Sequence, residues 1–322
     1  MKCKERLDKA LQFEETDRPP HFENTFELIE EAFGLSFPTY DELYKATKIE
    51  REKLFVRIAD IYAHTIERFK WDAVVLWMPG TRDELQYDFI PFLQKYIGDD
   101  IPILNCVWNS FVALETVNDY MEFSVRIAEE PEEIHKWAKS MLESAKIHVQ
   151  KSINAGVYGT IIANDSAFND GPFLSPAQHA EFCAPYVKEL IDMIRPQGVK
   201  VGYHTDGNLM KIMDQIIEMR PDYLHSIDPM AGMDIKVIKE LTYNKIALMG
   251  NVQCNYLQDG PDEKIIESAK YCLDHGTIGG GYIFSTSNTI FKGLPLKNYE
   301  VMLDYYWKRY GVGGGLIHDS ER

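Results

Sequence analysis

The stretch Val199-Lys-Val-Gly-Tyr-His-Thr-Asp-Gly207 carries a short apolar run directly into two ionisable side chains and a glycine at the entry to a helix. Successive side chains of an extended chain point to opposite faces, so His204 and Asp206 share one face and can converge on a single ligand, proton or metal ion. The same pattern also fits a strand end whose polar groups only satisfy nearby backbone. What the rest of the chain places around this strand decides between the two. Working outward, β-branched or apolar runs recur at residues 20–23, 72–77, 101–107, 159–164, 223–227, 246–251 and 281–285, with 199–204 the fifth of eight. Amphipathic stretches alternate with them, among them 186–194, 209–219, 235–241 and 263–273. Eight β/α units in 322 residues predict an α/β chain folded as a (β/α)8 TIM barrel, one domain spanning residues 1–322. A doubly wound open sheet is disfavoured, because no glycine-rich nucleotide loop follows Glu23.

Two segments fall outside the repeat. Cys3, Leu7, Ala10 and Leu11 stand at helical spacing, which predicts an N-terminal helical extension before Arg18. Residues 113–156 read as helix over 119–128 and 131–155, longer than one crossover needs, and predict a helical insertion after the third strand. Ser175-Pro reads as the cap of a helix over 177–186, and Asp170-Gly-Pro as a turn.

The formal charge of −16 argues against nucleic acid, since a phosphate-binding surface needs clustered Lys and Arg. Cys3, Cys106, Cys183, Cys254 and Cys272 form an odd, scattered set without a C-x-x-C pair, as expected of a reducing compartment, with the cytoplasm as default. The charged start Met-Lys-Cys-Lys-Glu-Arg and the lack of a long apolar run predict neither signal peptide nor membrane span.

In a (β/α)8 barrel the carboxyl ends of the strands and the loops after them build the active site. Those ends carry Glu23, Trp77, Trp108, Asn164 and Asp165, His204 and Asp206, Ser226 and Asp228, Asn251, Gln253 and Cys254, and finally Ser285, Ser287 and Asn288. Convergence of so many polar groups favours a site over packing, although any one Asn or Ser there can equally serve its own loop. Asp165 ends a very apolar run, where partial desolvation suits a general acid or base; its bland alternative is a loop acceptor. Trp77, Trp108 and Phe168 are placed to line a ring-accepting pocket, and packing accounts for aromatics of this kind equally well. Gly279-Gly-Gly precedes the last strand, at the face where barrels rarely bind ligands.

Gly-Pro-Phe-Leu-Ser-Pro176, Gly198 through Asn208, Gly250-Asn-Val-Gln and Gly279 through Asn288, followed by Pro295 and Asn298, resemble the uroporphyrinogen decarboxylase superfamily over nearly the whole chain. That superfamily holds porphyrinogen decarboxylases and corrinoid-dependent methyltransferases, and the resemblance implies a (β/α)8 barrel with its pocket at the carboxyl ends. The decarboxylase branch needs positive charge for a substrate bearing many carboxylates, whereas residues 19–44 contain no Lys or Arg and add Glu23, Glu27, Glu30 and Glu31. The branch acting on methylated thiols resembles a His-x-Cys pair with a distant Cys holding zinc. Asp206 and Asn288 stand where those cysteines would be. His204, Asp206 and Cys254, with Asp165 or Glu23 in reserve, are the residues left to hold zinc.

The His-x-Asp-Gly-Asn form is most similar to methyltransferases that take methyl groups from aryl methyl ethers. The resemblance implies His204, Asp206 and Asp165 as catalytic groups. It implies Glu23, Trp77, Trp108, Asn164, Phe168, Asn251, Gln253, Ser287 and Asn288 around a small methylated donor. It further implies a corrinoid carried by a partner protein, since this chain lacks an Asp-x-His-x-x-Gly cobalt-ligating stretch, and a homodimer. A decarboxylase of a less anionic acid and a non-catalytic ligand-binding barrel are the competing expectations.

Overall fold

Strands with no polar face need cover on both sides, which a parallel sheet with crossover helices supplies. Gly-Thr-Ile-Ile-Ala163 and Ala-Leu-Met-Gly-Asn-Val252 are buried at every residue. The computed structural model describes residues 1–76, 84–108 and 111–313. Nine strands are seen there: β1 (Val74–Val75), β2 (Ile103–Trp108), β3 (Gly159–Ala163), β4 (Ala167–Phe168), β5 (Gly171–Pro172), β6 (Lys200–Thr205), β7 (Tyr223–Ser226), β8 (Ala247–Val252) and β9 (Tyr282–Thr286). Seven form one curled parallel sheet in the order β1-β2-β3-β6-β7-β8-β9, and β4 with β5 makes a small antiparallel hairpin over Asp170-Gly-Pro. The architecture is TIM-barrel-like α/β.

Seven of the eight expected runs are strands of this sheet. The first run differs. Residues 20–23 make a single bridge between His21 and Phe284, with Phe284 N donating to Pro20 O and Asp72 N donating to His21 O, each at 2.8 Å. Pro19 and Pro20 have no N–H to give a ladder, so the segment touches both β9 and the start of β1 without becoming a regular strand.

The N-terminal helix spans Cys3–Leu11, and the insertion holds helices Tyr120–Glu129 and Pro131–Ala155. Ser175 caps its helix reciprocally with Gln178, but that helix stops at Phe182 and a second runs Ala184–Ile194. Pro185 supplies the reason: its ring opposes the carbonyl four residues back and it lacks the N–H that would continue the first helix. The helix expected over 209–219 covers only Met213–Met219. Gly207 is therefore no helix-entry residue. At φ +82°, a Cβ there would lie 2.2 Å from the Ala167 carbonyl oxygen, so glycine lets the β4–β5 hairpin rest on the end of β6. No helix of the described residues is long and apolar enough to cross a membrane, and all five cysteines are free.

Asp72 ties the first run to β1. Fully buried, it accepts Arg18 Nη1 at 2.6 Å, Arg18 Nη2 at 2.9 Å, Arg6 Nη1 at 2.5 Å and the His21 N–H at 2.8 Å. Arg18 Nη1 also donates to Tyr306 Oη at 2.7 Å, which brings in the last helix, Leu296–Tyr310. Asp72→Ala leaves the buried Arg18 guanidinium without a carboxylate partner among the described residues and Arg6 with Asp17 alone. It is expected to cost about 3–5 kcal/mol of unfolding free energy, read from the urea midpoint at constant m-value.

Candidate functional site

Register assembles the site. Trp108 pairs with Ala163, Ala163 with His204 and His204 with His225, and neighbours across a parallel ladder share a face. Just beyond the ends of β3 and β6, Asp165 and Asp206 come together with His204: one ligand atom of each lies within 4.8 Å of the others. The Asp206 N–H donates to Asp165 Oδ1 at 3.1 Å, and His204 Nε2 stands 4.0 Å from that same oxygen. Asn288, beyond β9, donates its side-chain amide to Asp206 Oδ2 at 2.7 Å. The other Asp206 oxygen, Oδ1, is buried without a partner among the described residues.

His204 is 8% exposed, and its Nδ1 lies 2.7 Å from Nδ1 of His225 on β7. One ring must donate and the other accept. Burial holds His225 well below the usual histidine range, reinforced by the neighbouring His204, so His225 is the neutral member that orients the working ring. Burial raises the Asp165 carboxyl above the ordinary carboxylate range; His204 pulls it down and Asp206 pushes it up. A carboxyl that keeps its proton closer to neutrality is a usable acid. Glu115, from the 3-10 turn Leu114–Thr116, accepts the Asp165 N–H at 3.4 Å and adds a third carboxylate to this rim.

An imidazole oriented through its far nitrogen, two converging carboxylates and an orphaned buried acceptor form a donor set that fits a divalent cation such as zinc. Cys254 is not among those donors. Its thiol reaches the Asn288 carbonyl oxygen at 3.5 Å, and burial pushes it up to about 12, so it stays a thiol.

The other expected residues divide by where they face. Trp108 shares the face of His204 through Ala163, and Phe168, 47% exposed on the β4–β5 hairpin, packs edge-on to Tyr120 near the mouth. Asn164 turns the other way and donates to Ser166, Tyr203 and Cys183. Asn251 donates to the Ile227 carbonyl and accepts from Cys272. Ser287 bonds through its backbone to Ser226 and Val252, and Gln253 faces a cleft of about 340 Å3 against the helix Asp262–Gly276. Asp228 caps the turn at Met230. Trp77 lies outside the described residues. Glu23 is fully buried against β9, where Oε2 accepts Ser285 Oγ at 2.6 Å, Thr286 N at 3.1 Å and Thr286 Oγ1 at 2.7 Å.

His225 and Glu115 were not among the residues picked from the sequence. His225 sits inside an apolar run, and the available signal was the pairing of that run with 199–204; Glu115 lies in the insertion, where no strand end pointed to it.

A TIM-barrel-like α/β chain with an acid–histidine cluster at the carboxyl ends of its strands has the architecture of a barrel enzyme. Residues 79–308 match the family model described as uroporphyrinogen decarboxylase (URO-D), and the chain belongs to that family. The uroporphyrinogen decarboxylase of Chlorobium luteolum is 22% identical over 243 residues, 71% of this chain and 67% of that protein. That of Thermodesulfovibrio yellowstonii is 27% identical over 176 residues, 55% of this chain and 48% of that protein. Among solved structures, a methyltransferase from Methanosarcina mazei superposes with a TM-score of 0.74 at 19% identity, covering 96% of this chain and 99% of that one. The fold is shared throughout.

Burial raises the Glu23 carboxyl to about 7, against the hydrogen bonds from Ser285 and Thr286 that favour its charged form. The folded chain then keeps a proton that the unfolded chain releases from about pH 4.5. Its contribution to stability is fully present below that point, falls as pH rises toward 7 and is flat above. Relative to Glu23→Gln, the wild type is expected to lose roughly 3 kcal/mol across this window, measured by urea unfolding at a series of pH values.

Proposed function

We propose that the protein is a methyltransferase that moves a methyl group from a small methylated donor, a methoxylated aromatic, to the cobalt of a separate corrinoid protein. The observation that carries this reading is the sign of the site. Asp165 and Asp206 meet at His204, Glu115 borders Asp165 and Asp228 lies near enough to Asp206 to feel its charge, and among the described residues no Lys or Arg bonds to any of the four carboxylates. A substrate bearing many carboxylates would meet uncompensated negative charge there, whereas an uncharged ether would not. The methyltransferase from Methanosarcina mazei with the same fold is consistent with this choice. On this reading residues 1–322 form one (β/α)8 barrel closed by residues 20–23, working in the cytoplasm as a homodimer.

In the reaction, cobalt(I) contributes the electron pair for the new bond to the methyl carbon, the carbon–oxygen bond breaks, and its electrons leave with the phenolate oxygen. That oxygen takes a proton, so ether, cobalt(I) and proton become phenol and methylcobalt(III). Asp165 holds the proton near the leaving oxygen, Asn288 fixes Asp206, and His225 fixes the His204 ring. Trp108 and Phe168 flank the donor ring. Zinc, held by His204, Asp206 and the Asp165 carboxylate in place of that proton, would polarise the same oxygen instead.

Incubation with reduced corrinoid protein and a panel of methoxylated aromatics is expected to give the methylcobalt absorption spectrum. His204→Ala is expected to slow it by roughly 10²–10⁴-fold. Full methyl transfer by that variant would remove His204 from the mechanism. The curated relatives, uroporphyrinogen decarboxylases, support a second reading, decarboxylation, which at this acidic site would act on a smaller or less anionic acid; carbon dioxide release without any corrinoid would establish it instead. Zinc binding is expected to strengthen with rising pH as Asp165 releases its proton, and to weaken in Asp206→Ala, both followed by isothermal titration with zinc chloride.

A further inference from the structure

Thr286, the last residue of β9, has one hydroxyl hydrogen and two acceptors in reach: Glu23 Oε2 at 2.7 Å and the Asn288 backbone oxygen at 2.8 Å. It can serve one at a time. When Glu23 is a carboxylate, the charge-assisted bond claims the hydrogen, and the Asn288 oxygen is left to the weak thiol donor of Cys254 at 3.5 Å. When Glu23 carries a proton, its own O–H can donate to Thr286 Oγ1, and the hydroxyl hydrogen turns to Asn288. Asn288 in turn holds Asp206 Oδ2 through its side-chain amide at 2.7 Å.

We propose that Glu23 is a positioning residue for the acid–histidine cluster, acting through the single hydrogen of Thr286 to set how firmly Asn288 holds Asp206. Glu23 touches none of the three clustered residues itself. Its second oxygen, Oε1, and Asn24 Oδ1 are buried acceptors without partners among the described residues, and both residues line a cavity of about 20 Å3 between the first run and the helix Lys48–Phe69. A space of that size admits one water.

The titratable groups facing Glu23 are His21 on its own run, Tyr299 on the last helix, Cys254 after β8 and Tyr62 on Lys48–Phe69. Burial holds His21 down to about 4 and pushes Cys254 up to about 12 and Tyr299 well above its ordinary value, so these three stay uncharged near neutrality. Glu23, raised by burial to about 7, changes its charge there. The proposal rests on reading Asp165, His204 and Asp206 as the working cluster, but not on which reaction they perform.

The test follows the Asn288 side-chain amide in the full chain labelled with 15N-asparagine, its signal assigned by loss in Asn288→Gln, from about pH 5.5 to about 8.5. In the wild type the signal is expected to shift with a midpoint near 7. Glu23→Gln, a permanently uncharged carbonyl, is expected to abolish that transition. Thr286→Val, which keeps Glu23 but removes the hydroxyl, is expected to abolish it too and provides the decision should Glu23→Gln not fold. An Asn288 signal that is flat in the wild type, or that titrates unchanged in the variants because it follows Asp165 alone, overturns the proposal. Failure of methyl transfer leaves this readout untouched.

Discussion

A barrel-like sheet must bring its first segment beside its last strand, and here that junction depends on one buried anion. Asp72 receives two guanidinium groups and a backbone N–H, and Arg18 passes the connection on to Tyr306 of the final helix. A carboxylate with this many donors recovers in charge-assisted hydrogen bonds what burial takes away, whereas Arg18 without it would have no carboxylate partner among the described residues. The tie also substitutes for ladder bonds that Pro19 and Pro20 cannot make. Once residues 20–23 are pinned at their start, Glu23 has one place to go: against Ser285 and Thr286.

The strands were readable because each is a near-continuous apolar run, and burial on both faces demands such runs. Elements whose form depends on backbone donors were less so. A run beginning with two prolines looks apolar enough for a strand but lacks the N–H groups that make one. Likewise the periodicity over 177–194 is continuous, and Pro185 alone divides it into two helices. Gly207 shows the reverse case, a residue read as a helix entry whose real constraint comes from the hairpin pressing on it, a contact distant in structure from any local pattern.

For the site, His204, Asp206, Asp165 and Asn288 could be found because they follow apolar strands at the end where barrels place their chemistry. Side-chain direction could not. Asn164 and Asp165 are adjacent, yet one serves Tyr203 and Cys183 while the other faces the cluster. Asn251 spends its amide on the Ile227 carbonyl, and Ser287 is held through its own backbone oxygen by Ser226 Oγ, uses that composition does not distinguish from binding. His225 is the converse: enclosed in Tyr-Leu-His-Ser226, it reads as core until strand pairing sets it at 2.7 Å from His204.

Two carboxylates and an imidazole brought within 4.8 Å of one another do not rest comfortably with both acids charged. The fold relieves part of the repulsion by giving Asp206 an amide donor from Asn288 and giving Asp165 the Asp206 N–H. It leaves Asp206 Oδ1 buried and unsatisfied. A fully paired cluster would be inert, and a fully ionised one would favour opening. A cluster short of one positive charge is instead suited to take it from outside, as a proton or as a bound cation. His225 cannot supply that charge, because burial keeps it neutral behind the His204 ring. The deficit therefore lies at the carboxyl ends of β3 and β6, where Asp165, His204 and Asp206 meet.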